Sequence, residues 1–302
     1  MRLDYMGADI TDRVTVGACT LFDRLGEKWD SAEICFENKK EWLHWRPKIS
    51  DALIIGKEGY TSSDLFVDEI APKKRGFYIY AGSLPPEARE AKWEGYENVT
   101  LFELLRKAAE EMGMDAAIYG DDGGQAYGRL WRRNESWPAF LYRMAALENM
   151  YLKCAGKSLV LCERNFIYES APVRIYEIDE DAGNWQYTEM YGALAAVAVV
   201  TPLGGGEARI GKTGIQKTVC GLPAGSSAEA GRWAKGLLIS HNEKRECFTL
   251  ETVLDTGLAA GCRIDLAGLP LVEGKWVCVE TAHDIKNGLT KVVLNRCIED
   301  SL

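Results

Sequence analysis

The chain has 302 residues, enough for two or three domains with a sizeable hydrophobic core. Its 47% hydrophobic and 27% charged residues are typical of a globular protein and argue against wholesale disorder. The formal net charge of −9 argues against a basic face that grips nucleic acid, because neutralising phosphates takes clustered lysine and arginine.

Short strands separated by turns are predicted from residue 1 to about residue 95. Asp51–Gly56 and Leu65–Glu69 are rich in aliphatic and aromatic residues, as half-buried strands are. Turn residues follow at Lys57-Glu58-Gly59 and at Lys73-Lys74-Arg75-Gly76, and the prolines of Leu84-Pro85-Pro86 end the pattern. This region is predicted to be a β-domain.

Helices and strands together are predicted from about residue 96 to residue 180. Thr100 and Glu103 have the spacing of a capping box at the start of a helix that Gly113 ends. Its apolar residues recur at helical spacing: Leu101, Leu104, Leu105, Ala108 and Met112. A second helix is predicted over Ser136–Met150, with Pro138 in its first turn. The strands that follow it are predicted at Tyr151–Cys154 and Ser158–Cys162.

Residues 181 to 302 are predicted to be β again, interrupted by one helix. The helix, Ser226–Leu238, is expected to pack Trp233 and Leu237 against a sheet. Near the end, Trp276–Thr281 and Leu289–Asn295 are rich in β-branched residues, and Asn287-Gly288 between them is typical of a tight hairpin turn. The most apolar run of the sequence, Ala193–Val200, is too short to cross a bilayer, so no membrane insertion is expected.

Two parts of the chain resemble each other. Asp51–Gly56, a turn and Leu65–Glu69 parallel Cys262–Gly268, a turn and Lys275–Val279. Both have a strand, a glycine turn and a strand opened by an aromatic residue. The similarity suits a fold with one barrel near each end of the chain.

One motif has the spacing of a nucleotide-binding loop. Residues Gly206 to Thr213 match G-x-x-x-x-G-K-S/T, in which backbone N–H groups, Lys212 and Thr213 would hold phosphates and magnesium. Such a loop must open a helix, because the helix N-terminus completes the anion site. Gly214–Pro223 instead has two glycines, β-branched residues and a proline. We therefore interpret Gly206, Gly211, Lys212 and Thr213 as a loop of a β-domain and expect no cofactor.

Other catalytic patterns are sparse. The three histidines are His44, His241 and His283; packing or surface exposure is expected for His44, and a hydrogen bond that shapes the final turn for His283. The acidic segments Asp121-Asp122 and Glu177–Asp181 are interpreted as solvated loops, not as a metal site or an acid/base pair. The nine cysteines form no C-x-x-C pair, so reduced thiols are expected rather than a zinc site or a disulfide framework. No catalytic residue and no metal are predicted.

The order of the C-terminal features resembles that of the late control D family of phage proteins. The strand Ala260–Gly268, the strand Gly274–Val279, His283, the Asn287-Gly288 turn and a last strand ending at Arg296 follow one another as in that family.

The resemblance extends to the N-terminal part. Asp9–Val14 resembles the family's opening strand, Asp30–Phe36 its second strand and Val99–Leu105 the start of its helix. The segment Met190–Pro223 matches worst.

The family consists of baseplate hub proteins of contractile tails, so the resemblance implies a non-enzymatic structural protein. It implies an α+β, mainly β fold: two tail-tube-like β-barrels, at residues 1–95 and 181–302, around a smaller α/β domain at residues 96–180, with one helix flanking the second barrel. The partners implied are two further copies of the chain in a homotrimer, the hexameric tail tube, the trimeric spike and other baseplate proteins.

The implied location is the baseplate of a virion tail or of a contractile injection system, assembled in the host bacterial cytoplasm, with DNA only as passing cargo. Two alternatives stay open at this point. One is a P-loop nucleotide hydrolase that uses Gly206–Thr213, and the other is a tail-associated module that binds or cleaves cell wall.

Overall fold

The computed structural model describes residues 1–38, 40, 45–57, 59–74, 76–121, 124–210 and 213–298. Strands account for 49% of the chain and helices for 20%, which confirms the predicted α+β, mainly β class. Most strands join one large sheet.

The first eight strands form an N-terminal β-unit, with bounds β1 (Arg2–Tyr5), β2 (Ala8–Asp9), β3 (Val16–Arg24), β4 (Ser31–Phe36), β5 (Ala52–Lys57), β6 (Tyr60–Thr61), β7 (Leu65–Lys73) and β8 (Gly76–Gly82). Side chains alternate along these strands: in β4, Ala32, Ile34 and Phe36 are buried while Glu33 is not. The inward residues of β1, β3, β4, β5, β7 and β8 share one core. One face of six strands can meet in one core only if the sheet curls around it.

The predicted opening strand is wrong. Within Asp9–Val14 only Asp9 lies in a strand, and Thr11–Arg13 is a 3-10 turn. The Asp9 carboxylate accepts the backbone N–H of Thr11, a local bond that competes with strand pairing. The chain instead opens with β1.

The middle of the chain contains two small sheets and three helices, with bounds β9 (Lys92–Val99), α1 (Leu101–Glu111), β10 (Asp115–Tyr119), β11 (Tyr127–Glu135), α2 (Trp137–Leu147), β12 (Met150–Ala155), β13 (Ser158–Glu163) and α3 (Arg164–Glu169). The capping box of Thr100 and Glu103 is present at α1, and Ser136 caps α2. Helix α2 ends three residues before its predicted end, because Met150 starts β12.

The remaining strands and the last helix are β14 (Arg174–Glu177), β15 (Trp185–Glu189), β16 (Leu194–Thr201), β17 (Gly204–Arg209), β18 (Ile215–Cys220), α4 (Ser227–Asn242), β19 (Glu246–Val253), β20 (Arg263–Ala267), β21 (Gly274–Asp284) and β22 (Leu289–Arg296). Strands β14, β15 and β19–β22 form a C-terminal β-unit around a second core that includes Phe248, Ile264, Trp276 and Leu294.

The segment between β15 and β19 leaves the C-terminal β-unit. Strands β16–β18 form a separate sheet, and α4 packs on it. Trp233 of α4 is fully buried in the core of α1 and α2, and Leu237 packs against the same core. The helix was predicted to flank the second barrel; it instead belongs with β9–β13 and α1–α3, which together with β16–β18 we call the middle unit.

The cores therefore divide the chain differently from the predicted boundaries at residues 95 and 180. The middle unit takes in residues 194–242, which were predicted to lie in the second barrel. The C-terminal β-unit begins with β14, before residue 181. An amphipathic helix specifies that one face is covered but not which sheet covers it, which is why the sequence placed α4 in the wrong unit.

The final hairpin is wider than predicted. Strands β21 and β22 pair up to Asp284 and Leu289, so four residues make the turn. Only Gly288, at φ 72°, takes the left-handed conformation that a two-residue Asn-Gly turn needs at both positions. The Asp284 carboxylate accepts the N–H groups of Lys286 and Asn287 and so stabilises the longer loop.

The two β-units have the same strand order. The N-terminal β-unit runs β3-β4-β8-β7-β5-β1, and the C-terminal β-unit runs β15-β19-β22-β21-β20-β14. Numbered by position in the chain, these two orders are identical. All neighbouring pairs are antiparallel in both units, except that β14 is parallel to β20 where β1 is antiparallel to β5.

The registers agree as well. Leu53 pairs with Leu65 in the first unit, and Ile264 pairs with Trp276 in the second. Each unit also has a register irregularity at the matching place, between Val67 and Glu69 in β7 and between Cys278 and Glu280 in β21. The internal similarity predicted from the sequence is therefore present as a repeated six-strand unit.

Among the described strands neither unit closes into a separate barrel. The strand order is an open path that runs from β15 through both units to β2. The units join where β3 pairs with β21. Strand β3 is the outer strand of the N-terminal β-unit, so it holds the C-terminal β-unit and does not close its own unit. The predicted barrels are thus two curled sheets fused edge to edge.

Candidate functional site: the junction between the β-units

The junction is built on one pair of strands far apart in the sequence. Strand β21 pairs with β20 up to Val277, and after the bulge at Val279 it pairs with β3, from Glu280 opposite Arg24 to Asp284 opposite Thr20. A bulge changes the course of a strand and increases its twist. The bulge therefore lets one strand serve two neighbours on the same edge.

Charged side chains fasten this pairing. The Arg24 guanidinium donates to Glu280 Oε2 at 2.6 Å and to Ser31 Oγ at 2.7 Å, which links β21, β3 and β4. Lys153 of the middle unit forms an ion pair with Asp23 of β3. All three units of the chain thus meet in one polar cluster.

Asp30 lies in the same cluster. Its Oδ1 accepts the backbone N–H of Arg24 at 2.8 Å, and its carbonyl accepts the N–H of Ser83 at 2.9 Å. Burial raises the pKa of Asp30 to about 7; nearby Lys153 opposes that rise and Asp23 adds to it. The junction therefore contains a carboxyl group that titrates near neutral pH.

His283 makes hydrogen bonds close to the final turn. It is buried, and its ring nitrogens lie 2.9 Å from Thr290 Oγ1 and 3.2 Å from Thr281 Oγ1, across the last hairpin. Burial lowers the pKa of His283, so the ring is neutral at pH 7. A neutral ring can donate to one threonine and accept from the other.

A buried cluster of hydrogen-bonded polar side chains ties the inserted helix to the rest. Arg164 of α3 lies 3.4 Å from Glu243 Oε2, just after α4, and also donates to Ser240 Oγ at 3.1 Å. Tyr168 Oη donates to Glu243 Oε1 at 3.1 Å. Burial raises the pKa of Glu243 to about 8. Removing one partner of such a contact leaves an uncompensated buried group, so Arg164 and Glu243 hold the end of α4 against α3.

The described part of the nucleotide-loop motif lies in β17 and in the residues that join β17 to β18. Gly206 is in β17, where an added Cβ would lie 2.1 Å from the backbone nitrogen of Gly231 in α4. The glycine is needed for this close approach of strand and helix. Thr213 precedes β18, a strand, and Gly211 and Lys212 lie outside the described residues. The interpretation as a loop of a β-domain stays a prediction.

The other residues singled out in the sequence are dispersed. His44 and Asp122 lie outside the described residues, and His241 Nε2 lies 3.1 Å from the carbonyl of Gly192. Asp179 begins an exposed turn after β14. In the described ranges no three His, Cys, Asp or Glu side chains form a cluster suited to a metal ion.

All nine cysteines are free thiols in the structure. No helix in the described ranges has the length and apolar character to cross a membrane.

The residues that build the junction had no signal in the sequence. Asp23, Asp30 and Lys153 are single charges in or next to ordinary strands, and Arg164 and Glu243 belong to no recognised spacing. Their ion pairs and hydrogen bonds hold structural units together. The cluster can hold the three units together, and its Asp30 carboxyl group changes protonation state near neutral pH.

No family model matches the sequence, and no curated protein matches it. Solved structures share its fold over nearly the full length. The tail protein from Neisseria meningitidis MC58 has a TM-score of 0.74 at 12% identity, over 98% of this chain and 95% of that one. The 43 kDa tail protein of prophage MuSo2 from Shewanella oneidensis has a TM-score of 0.75 at 10% identity, over 98% of both chains.

A type VI secretion system component from E. coli, described as structurally similar to bacteriophage T4 tail proteins, has a TM-score of 0.61 at 9% identity, over 95% of this chain and 74% of that one. The chain therefore has the fold of phage and prophage tail proteins, which it shares with a component of a secretion system.

Proposed function

We propose that this chain is a structural baseplate hub, of the late control D type, in a contractile phage tail or a related injection particle. There it joins the hexameric tail tube to the trimeric spike. The observation that carries the proposal is the repeated six-strand unit, whose strand order and register recur in the two β-units.

A chain with two similar units can adapt one symmetry to another. Three copies arranged in a ring present six similar β-units, which match a sixfold tube on one side, while the ring itself keeps the threefold symmetry of a spike. A ring of this kind needs heterologous contacts that close after three copies. The tail-protein fold of the structures with similar architecture supports the same assignment.

The fusion of the two units suits a part that carries mechanical load. The β3–β21 pairing and the ion pairs of Arg24 and Lys153 connect the units directly to each other and to the middle unit. Movement of one unit during baseplate opening is then transmitted to the others.

The charge of the chain fits a channel that lets DNA pass. With a net charge of −9, a ring of these chains offers a phosphate backbone little to bind. The role requires no catalytic residue, and the nine free thiols suit assembly in a reducing bacterial cytoplasm before the protein becomes part of the virion tail.

Tail particles from cells that express the chain with its neighbouring tail genes would test the proposal. Antibody against the chain, seen by electron microscopy, is expected to label one end of the tail, where cryo-EM should show three copies. Label distributed along the tube or sheath, or no label on intact tails, would overturn the proposal.

A further inference from the structure

The repeat within the chain predicts a second junction. Strand β15 occupies in the C-terminal β-unit the place that β3 has in the N-terminal one, and β7 likewise corresponds to β21. The observed junction pairs β3 with the second half of β21. If the C-terminal β-unit makes the equivalent contact with another N-terminal β-unit, β15 takes the place of β3 and pairs with the second half of β7.

The second half of β7 has an open edge. Strand β5 covers only Leu65 and Phe66, and within the described part of the chain Glu69–Lys73 pair with β8 alone. Pro72 lies in this half, and a proline inside a sheet is tolerated where its missing N–H faces an open edge. The positions matching Ile70 and Pro72 are Thr281 and His283, which the junction buries completely. Ile70 is half-buried and Pro72 is exposed.

Strand β15 has the other open edge. It ends the strand order of the large sheet, and of the described strands only β19 pairs with it. Its Trp185 and Tyr187 pack toward the core, as Cys19 and Leu21 do at the matching positions of β3. The outer side of β15 therefore carries a row of backbone groups without a strand partner.

We propose that β15 of one copy of this chain pairs antiparallel with the second half of β7 in the next copy. Carrying the β3–β21 register over to these strands places Glu189 opposite Ile70, Thr188 opposite Ala71 and Tyr187 opposite Pro72. The inference rests on the proposed function, because it takes the next copy in a three-chain ring as the partner. It names the strands and the register that the hub proposal leaves open.

Tyr191 provides a side-chain anchor for this pairing. In the observed junction the chain continues past β3, and Leu25 N–H donates to the carbonyl of Val279 at the bulge, 3.0 Å away. The matching residues are Tyr191 after β15 and Asp68 at the bulge of β7. Tyr191 is 97% exposed, and bonds between Met190 and Arg245 fix the backbone just before it.

Asp68 lines a cleft that can receive this side chain. The cleft has a volume of about 570 Å³, and its other walls include Trp29, Leu84, Pro138 and Tyr142. A tyrosine buries a large apolar ring there and keeps its hydroxyl near polar groups. Since Pro72 removes one backbone donor from the strand pairing, the anchored ring would supply much of the affinity.

Cysteine pairs test the register in assembled tails. In the proposed pairing Ala71 and Thr188 form a non-hydrogen-bonded pair, whose Cα atoms lie about 4.5 Å apart, within disulfide range. The double variant Ala71→Cys/Thr188→Cys, made with Cys220→Ser to remove an exposed native thiol, should give covalent trimers under mild oxidation. The matched control is Lys73→Cys/Met190→Cys, at the end of β7 and just after β15 but four residues out of register, and should stay monomeric.

The outcomes separate the two proposals. Three copies at the tail end with no crosslink from the matched pair, or with equal crosslinking from the shifted pair, would overturn this interface and leave the hub proposal standing. Tails without three copies of the chain would overturn the hub proposal and this interface with it.

The anchor has its own test in the same assay. Tyr191→Ala should lower the yield of crosslinked trimer roughly tenfold, as loss of a central aromatic contact does. Val253→Ala removes another highly exposed apolar side chain and should leave the yield unchanged. Equal yields from the two variants would remove Tyr191 from the interface.

Discussion

Replacing Asp30 by asparagine should make the stability of the protein less dependent on pH. In the wild type the carboxyl is buried at the junction, where it lies beside Asp23 and accepts the backbone N–H of Arg24. An asparagine keeps the accepting oxygen, and its amide can donate toward Asp23 as a protonated carboxyl would. The variant therefore imitates the neutral form of Asp30 at every pH.

The sign follows from the direction of the pKa shift. Burial raises the pKa of Asp30 from 3.8 to about 7, so the folded state holds the proton more tightly than the unfolded state. The stabilisation is fully present below about pH 3.8 and is lost as pH rises through about 7. Each pH unit inside this window is worth about 1.4 kcal/mol, so the loss between pH 5 and pH 7 is at most about 3 kcal/mol.

Urea unfolding of both proteins between pH 5 and pH 8 measures the effect. We expect the stability advantage of Asp30→Asn over the wild type to increase by about 1–3 kcal/mol between pH 5 and pH 8. Taking the difference between the two proteins cancels the titration of all other groups. Glu97→Gln, which removes an exposed surface carboxylate, should give a difference that stays flat. An equally flat difference for Asp30→Asn would refute the assignment of a buried, neutral carboxyl to the junction.

Three further predictions concern the other units. Trp233→Ala should lower the free energy of unfolding by about 3–5 kcal/mol in urea titrations, since it empties a fully buried site. It also removes the hydrogen bond from the indole N–H to Glu148, which measures 2.7 Å. A loss under about 1 kcal/mol would contradict the burial. Lys212→Ala should change the free energy of unfolding by no more than about 0.5 kcal/mol, and neither the wild type nor the variant should bind ATP detectably. Micromolar ATP binding by the wild type that the variant abolishes would reinstate the nucleotide-binding alternative. Alkylation of the unfolded, unreduced protein should label all nine cysteines in a mass spectrum, and a reproducible intramolecular disulfide would contradict assembly in a reducing compartment.

The sequence predicted local structure well, because local structure depends on interactions between residues that are close in the sequence. The capping box of Thr100 and Glu103 depends on two residues three positions apart, and it is present. The apolar alternation of β4 and β5 depends on the two-residue period of a strand. Where a second local interaction competed, the prediction failed, as at Asp9 and in the four-residue turn before Leu289.

The internal repeat was recognisable but was aligned imperfectly. The first strand of the repeat aligns Asp51 with Cys262, which is the register that the structure has. The second arm was shifted by one residue, because Phe66 was matched with Trp276 on aromatic character. In the structure Trp276 is buried at the position of Leu65, and Phe66 faces the other side of the sheet. A one-residue slip exchanges the two faces of a strand, and only a packed core shows which face is inside.

The sequence by itself determined the mainly β class, the positions of most strands and helices, and the presence of two similar β-units. Only the tertiary structure decided that Arg24 meets Glu280 across 256 residues, that α4 belongs to the middle unit and that Asp30 is buried beside Lys153. Turns and caps depend on neighbours along the chain, so a short window contains their cause. The junction depends on which sheet edges meet, and a charged residue in a strand has the same local pattern whether its partner is water or an arginine on a distant strand.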